Sequence, residues 1–170
     1  MTFVEDVGWD TEHPGQRVTR PDFEDFYREH WSDVAGFSAA LAGSALLGDD
    51  MAQEAFARLY PRWRLVREPR PYVFRIAANL ARRHNRRAAR EVLIEVTPDA
   101  GTIPAGVDPG LMDAVNRLPE RLRVVVLLHY YADLPIDQVA TCLRRPVGSI
   151  KRQLHEARST LAQAMGDADD

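Results

Sequence analysis

The stretch LPIDQVATCLRRPVGSIKRQLHEARSTL, residues 134–161, constrains the fold more than any other. Ile136, Val139, Ala140 and Leu143 recur at i, i+3, i+4 and i+7, which puts four apolar side chains on one face of a helix. Val147, Ile150, Leu154, Ala157 and Leu161 repeat the pattern on a second helix. The joint between them is short, so the two helices must cross and pack stripe against stripe. Opposite the second stripe stands Arg152, flanked by Ser149, Gln153, His155 and Glu156, with Lys151 nearer the edge. A helix-turn-helix divides its faces in this way: one packs on the partner helix, the other enters a major groove. Arginine suits guanine edges and glutamine suits adenine. A solvated face in an ordinary bundle is the plain alternative, and the tight joint favours the DNA-binding reading.

A DNA reader with a net charge of −3 needs explaining, and the distribution of charge supplies the reason. Residues 1–57 carry −9, and residues 58–90 carry 11 arginines against the single acid Glu68, or +10. Residues 91–143 carry −5, residues 144–158 carry +4, and the remainder carries −3. Phosphate responds to the local field within a Debye length of about 8–10 Å more than to the total. Two basic islands in an acidic background therefore predict two separate nucleic-acid contacts.

The first island contains PYVFRIAANLARRHNRRAAR, residues 71–90. Val73, Ile76, Ala77 and Leu80 face one way along a helix. Arg75, Asn79, Arg82 and Arg86 fall at i, i+4, i+7 and i+11 on the other side, with Tyr72 alongside. Such a line suits a groove that tracks a phosphate backbone. Trp63 and Tyr72 are candidate stacking platforms for unpaired bases, with core packing as the alternative. The helix before it, GDDMAQEAFARLY, has Met51, Ala55, Phe56 and Leu59 on an apolar side. Asp50, Gln53 and Glu54 point away. That outer face does not suit DNA; it is a protein-docking surface or simply solvated.

The periodicity predicts an all-α chain of two small helical domains. A flexible arm covers residues 1–20, and an N-terminal domain of three or four helices covers 21–90. Its helices are expected from Pro21–Asp22 onward, over Asp49–Trp63 and over Pro71–Arg90. Residues 91–110, with three prolines and three glycines, read as a linker whose Val92–Val96 start has strand character but no obvious partner. A four-helix C-terminal domain covers 111–165, with Pro119 dividing a helix ending near Arg117 from one over Glu120–Tyr131. An acidic tail closes the chain at 166–170.

No apolar run approaches the roughly 20 residues that span a bilayer, and the N-terminus lacks a signal peptide's basic and apolar segments. A cytoplasmic protein is expected. The single cysteine, Cys142, excludes an internal disulfide and a thiolate-rich metal site, and reads as a small buried apolar residue. No cofactor and no metal are expected. LHEAR lacks the second histidine of a zinc-protease motif, and no glycine-rich phosphate loop appears. An enzyme is not expected.

Taken together, these residues resemble the extracytoplasmic-function sigma factors, small two-domain specificity subunits of bacterial RNA polymerase. The likeness covers about residues 22–163. Asp50, Gln53, Glu54 and Phe56 match the family's Asp-x-x-Gln-Glu-x-Phe pattern, which implies docking on the core polymerase. Arg75, Ile76, Ala77, Asn79, Arg86 and Arg87 match its helix for the minus-ten element, and the loop Arg64–Arg70 matches its pocket for a flipped base. The resemblance thus implies minus-ten contacts from Arg64, Arg67, Arg70, Tyr72, Arg75, Asn79, Arg82 and Arg86. Leu118, Pro119, Val139, Ala140, Val147, Gly148, Ile150, Lys151, Leu154, Ala157, Arg158 and Leu161 match the domain for the minus-thirty-five element. There the contacts would come from Arg144, Ser149, Lys151, Arg152, Gln153 and His155.

Three positions depart from the pattern. Arg144 stands where the family has glycine, and a left-handed turn there costs a non-glycine residue about 1–2 kcal/mol. Arg152–Gln153 stands where Ser-Arg is common, and Tyr72–Val73 where a tryptophan is usual. The implied partners are core RNA polymerase, promoter DNA and an anti-sigma factor, with no membrane. Two rivals remain: a stand-alone helix-turn-helix regulator, which leaves the Asp50 face idle, and a sigma-like decoy that sequesters a protein. The regulator would shift duplex DNA without polymerase; the decoy would be indifferent to removal of the arginines between 75 and 86.

Overall fold

The computed structural model describes residues 22–91 and 108–166. The expected arm, all but the ends of the linker with its possible strand, and the tail beyond Gly166 lie outside the described residues. Within them every regular element is helical. The N-terminal unit is α1 (Phe23–Ala42), α2 (Ala45–Leu59) and α3 (Pro69–Glu91), with a 3₁₀ turn at Tyr60–Arg62. The C-terminal unit is α4 (Pro109–Arg117), α5 (Glu120–Val126), α6 (Ile136–Leu143) and α7 (Val147–Gly166).

Local chemistry sets the ends. The Asp22 carboxylate accepts the Phe23 N–H at 2.7 Å and starts α1. Gly43, at φ 74°, stops it. Asn85 of α3 donates to the Leu41 carbonyl at 3.1 Å, satisfying an acceptor the last turn of α1 leaves open. Ser44 then caps α2 through the Leu47 N–H, so this helix begins four residues before the expected Asp49. The Gly-Ser pair between two apolar runs is a stop followed by a cap, a signal that periodicity alone passes over. Likewise α3 begins at Pro69 rather than Pro71, because both prolines fit a first turn whose N–H groups need no partner. Asp108 caps α4 through the Leu111 N–H at 2.9 Å, starting it inside the expected linker.

Aromatic rings fill the N-terminal core. Phe23, Phe26, Tyr27 and Trp31 of α1 surround Phe56 of α2, and Trp63 packs on Phe26 at 4.9 Å and edge-on to Phe23 at 5.3 Å. Phe37 meets Phe74 of α3 at 5.2 Å with the rings perpendicular, and both are fully buried. Gly48 lets α2 touch α1, since a Cβ there would stand 2.7 Å from the Ala35 carbonyl oxygen.

In the C-terminal unit the expected helix over Glu120–Tyr131 ends in a π-helical turn, Leu127–Tyr131. The Ala132 N–H reaches back five residues to the Leu127 carbonyl at 2.9 Å. This wider turn sends Tyr130 toward α7, where its hydroxyl accepts from Arg158 Nε at 2.6 Å, and Tyr131 toward α1. Arg121 of α5 grips Glu156 of α7 with two parallel bonds, the longer 2.9 Å. The joint between α6 and α7 closes as a Schellman motif: the Arg145 N–H meets the Ala140 carbonyl at 3.0 Å and the Arg144 N–H meets the Thr141 carbonyl at 3.3 Å. Arg144 itself sits at φ 53°, ψ 47°, in the left-handed region usually filled by glycine.

The two units share one continuous hydrophobic core. The Tyr131 ring fits over Gly36 of α1, where a Cβ would stand 2.3 Å from the phenolic oxygen. On the other side α6 lies against the start of α3. There the Cys142 thiol donates to the Pro71 carbonyl at 3.1 Å, and Gln138 donates to Glu68 at 3.2 Å.

Candidate nucleic-acid interface

Two exposed basic surfaces and one acidic surface emerge from this frame. On α7, Lys151, Arg152 and His155 are exposed, Ser149 lies at the head of the same helix, and Gln153 is half-buried, so all five expected residues share the outer face. Ile150, Leu154 and Ala157 are buried behind them, which fixes the helix against α5 and α6. Arg152 rests on Ser149 Oγ at 3.4 Å, and Gln153 accepts from Arg145 Nη1 at 3.1 Å. Arg145 was not among the expected contacts, yet it holds the Gln153 amide. Burial first, then Arg82 and Arg121 nearby, lowers the pKa of Arg145. Arg144 projects exposed from the turn at the head of α7.

On α3 the structure divides the expected line of Arg75, Asn79, Arg82 and Arg86. Arg75 and Asn79 line a cleft of about 150 Å³ with Tyr72, Ile76, Leu80, Arg83, Arg58 and Arg62. Arg82 lies instead on the side of Arg145 in the C-terminal unit. Arg86 is exposed farther along the helix. Arg58, Arg62 and Arg83 were missed; the i+8 step from Arg75 to Arg83 was the available signal. The Arg75 guanidinium stacks over the Tyr72 ring at 5.0 Å. Trp63 packs into the aromatic core, whereas Tyr72 stands beside the cleft.

A second cleft, about 350 Å³, lies between the loop before α3 and α6. Leu65, Val66, Arg67, Glu68, Pro71, Tyr72 and Arg75 form its N-terminal wall, and Thr141 and Cys142 form the other. Leu65 is 85% exposed at its lip. Arg67 lines this cleft, Arg64 is exposed in the same loop, and Arg70 turns back to lie 5.7 Å over the Phe74 ring. The buried Cys142 thiol has its pKa pushed up to about 11, chiefly by burial.

The acidic surface is on α2. Asp50, Gln53 and Glu54 are exposed together, with Glu54 held by Arg58 Nε at 2.6 Å. Phe56 differs: it is only 2% exposed, at the centre of the aromatic core. That burial lets it anchor the helix that carries the other three. Among the described residues no helix is long and apolar enough to cross a membrane, and no cluster of His, Cys, Asp and Glu is arranged to hold a metal.

Comparison with known proteins follows the same partition. The family model described as Sigma-70 region 2 matches residues 26–91, and that of Sigma-70 region 4 matches residues 110–161. The chain is 22% identical over 175 residues to the ECF RNA polymerase sigma factor SigW of Bacillus subtilis, spanning 90% of this chain and 92% of that one. It is 27% identical over 156 residues to the RNA polymerase sigma-E factor of Streptomyces antibioticus, spanning 87% of each. Among solved structures, the fold resembles the sigma factor RpoE bound to the anti-sigma factor NepR from Bartonella quintana. That match has a TM-score of 0.74 at 17% identity and covers 85% of this chain and 97% of that one. CnrH in complex with the cytosolic domain of CnrY follows at a TM-score of 0.63 and 23% identity, covering 87% and 89%. With both regions matched in order, and relatives of that name aligned along nearly the whole length, the chain belongs to the extracytoplasmic-function sigma factor family.

Proposed function

We propose that the chain directs core RNA polymerase to a specific set of promoters through a division of labour among three faces. The exposed Asp50, Gln53 and Glu54 of α2 dock on the core enzyme. Tyr72, Arg75, Asn79 and the loop arginines Arg64, Arg67 and Arg70 take the unpaired minus-ten strand, with Arg82 and Arg86 along the backbone track. The outer face of α7, with Ser149, Lys151, Arg152, Gln153 and His155, reads the minus-thirty-five duplex, and Arg144 reaches its phosphate. The protein contributes recognition and no bond chemistry, and works in the cytoplasm, where its polymerase is.

The observation that supports this reading best is the separation of two basic faces on two units, with an acidic face on α2 beside the first. One DNA-binding surface would serve a simple repressor. The closed arrangement adds a constraint. Thr141 and Cys142 of the helix-turn-helix wall the cleft beside Tyr72 and Arg75, so in this arrangement the C-terminal unit closes one side of the cleft that would take a base. An anti-sigma partner fits the same logic, since the solved relatives are held in such complexes.

In vitro transcription with bacterial core polymerase on a library of promoter fragments tests the proposal. New, sequence-specific transcripts in the presence of the protein are expected. Core binding without transcripts would point to a decoy. Absence of both, with duplex DNA shifted by the protein alone, would replace this reading with a stand-alone regulator.

A further inference from the structure

The cleft between α2 and α3 has a composition that strand tracking along α3 does not require. Four arginines line it: Arg58 from α2, Arg62 from the 3₁₀ turn, and Arg75 and Arg83 from α3. Asn79 and Tyr72 add neutral hydrogen-bonding groups, and among the described residues Ile76 and Leu80 are its only aliphatic lining. Its volume of about 150 Å³ falls below the roughly 300 Å³ at which drug-sized ligand pockets begin, so it suits a compact group rather than a nucleoside. Among the described residues, only Arg58 of the four has an acidic partner, Glu54, and that bond uses Nε. Like charges gathered in a concave site raise one another's energy, and a dianion relieves the repulsion. Arginine's planar fork fits phosphate oxygens in pairs.

We propose that this cleft is a phosphate-binding site, with Arg62 and Arg83 as its principal ligands beside Arg75 and Asn79. It extends the minus-ten track from the face of α3 into the crease with α2, and as a promoter contact it rests on the function proposed above. The phosphate is either a backbone phosphodiester of single-stranded DNA or part of a free polyphosphate. Every lining residue among those described belongs to the N-terminal unit, so the site can be tested without polymerase.

The test uses the full chain with two probes, tripolyphosphate and a ten-residue oligothymidine, titrated across salt concentration. Arg62→Gln with Arg83→Gln is compared with Arg90→Gln plus Arg117→Gln, which removes equal charge at exposed positions away from the cleft. The cleft variant is expected to weaken binding about tenfold. For oligothymidine it should also flatten the slope of log affinity against log salt by about 0.7 for each phosphate no longer neutralised. Weakening of oligothymidine alone identifies a backbone phosphate; weakening of tripolyphosphate alone identifies a free polyphosphate; weakening of both places the two chemistries in one site. Arg62→Lys with Arg83→Lys keeps the charge and should recover only part of the affinity. Equal weakening in the cleft and control variants would reduce the cleft to a diffuse field and overturn the proposal, as would unchanged binding in both. Transcription with core polymerase, run on the same variants, separates the two claims. A cleft variant that transcribes with unchanged anion binding refutes the site alone, whereas wild-type protein that neither binds core nor transcribes refutes the sigma function alone.

Discussion

Gly48→Ala is an alanine substitution within a helix that the structure requires to be destabilising. In an ordinary helix interior the change is worth about 1 kcal/mol in favour of alanine. Here the new Cβ would lie 2.6 Å from the Ala39 Cβ, 2.7 Å from the Ala39 nitrogen and 2.7 Å from the Ala35 oxygen. Non-bonded carbons rest at about 3.5–4.0 Å, so α2 must withdraw from α1 by roughly 1 Å. The two approaches to main-chain atoms cannot be relieved by a rotamer. Overpacking costs about 1–3 kcal/mol, and two unrelieved main-chain approaches put this site in the upper part of that range, about 2–3 kcal/mol. After the propensity gain is subtracted, a net destabilisation of about 1–2 kcal/mol remains, or a fall in Tm of roughly 2–8 °C for a chain of this size. Urea denaturation followed by circular dichroism measures it. The same displacement carries Asp50, Gln53 and Glu54 away from their present positions, so affinity for core polymerase should fall with stability. A Gly48→Ala protein as stable as wild type, or more stable, would refute the close approach of the helices.

The opposite sign is expected at the helix-turn-helix joint, where Arg144→Gly relieves a left-handed residue and should add about 0.5–1 kcal/mol in the same denaturation assay, at the expense of phosphate affinity. Arg152→Ala should cost about 1–3 kcal/mol of discrimination among minus-thirty-five sequences, whereas Arg82→Ala should weaken promoters uniformly; competition transcription distinguishes them. Cys142 should resist a thiol reagent at pH 8 in the free protein, given its burial and a pKa of about 11, and should react faster once core polymerase is added and the units part. His30 has its pKa lowered chiefly by burial, so its folded value lies below its unfolded one. Stability is then full above about pH 6.5 and declines as pH falls from there toward the folded value, and His30→Gln should flatten that part of the pH profile.

Helical periodicity made all seven α-helices of the described residues legible, because each buries one stripe and exposes another. Ends were less legible where two weak signals had to be read together, as with Gly43 and Ser44 before α2 or Pro69 ahead of Pro71. The outer face of α7 could be read from spacing alone, since a single helix carries it. The clefts could not. They arise where α2, α3 and α6 meet, and no one-dimensional pattern announces that Arg58 and Arg62 face Arg83, or that Cys142 stands across from Tyr72. Phe56 shows the reverse difficulty: it belongs to a binding motif, but burial gives it a supporting part. The left-handed Arg144 was marked as an anomaly by the missing glycine, and the backbone adopts that conformation at the arginine.

The seam between the units, with Tyr131 over Gly36 and Cys142 against Pro71, would act as a gain control on any ligand of the proposed function that needs the units apart. If the closed form leads by about 2 kcal/mol, roughly one molecule in thirty is open, and every such affinity is discounted about thirtyfold. Under the proposed function, changes on α7 would reorder promoters relative to one another. Changes at the seam would leave that ranking alone and raise or lower all promoters together. Sequence preference and overall potency would then be written in different residues, and each could drift without disturbing the other.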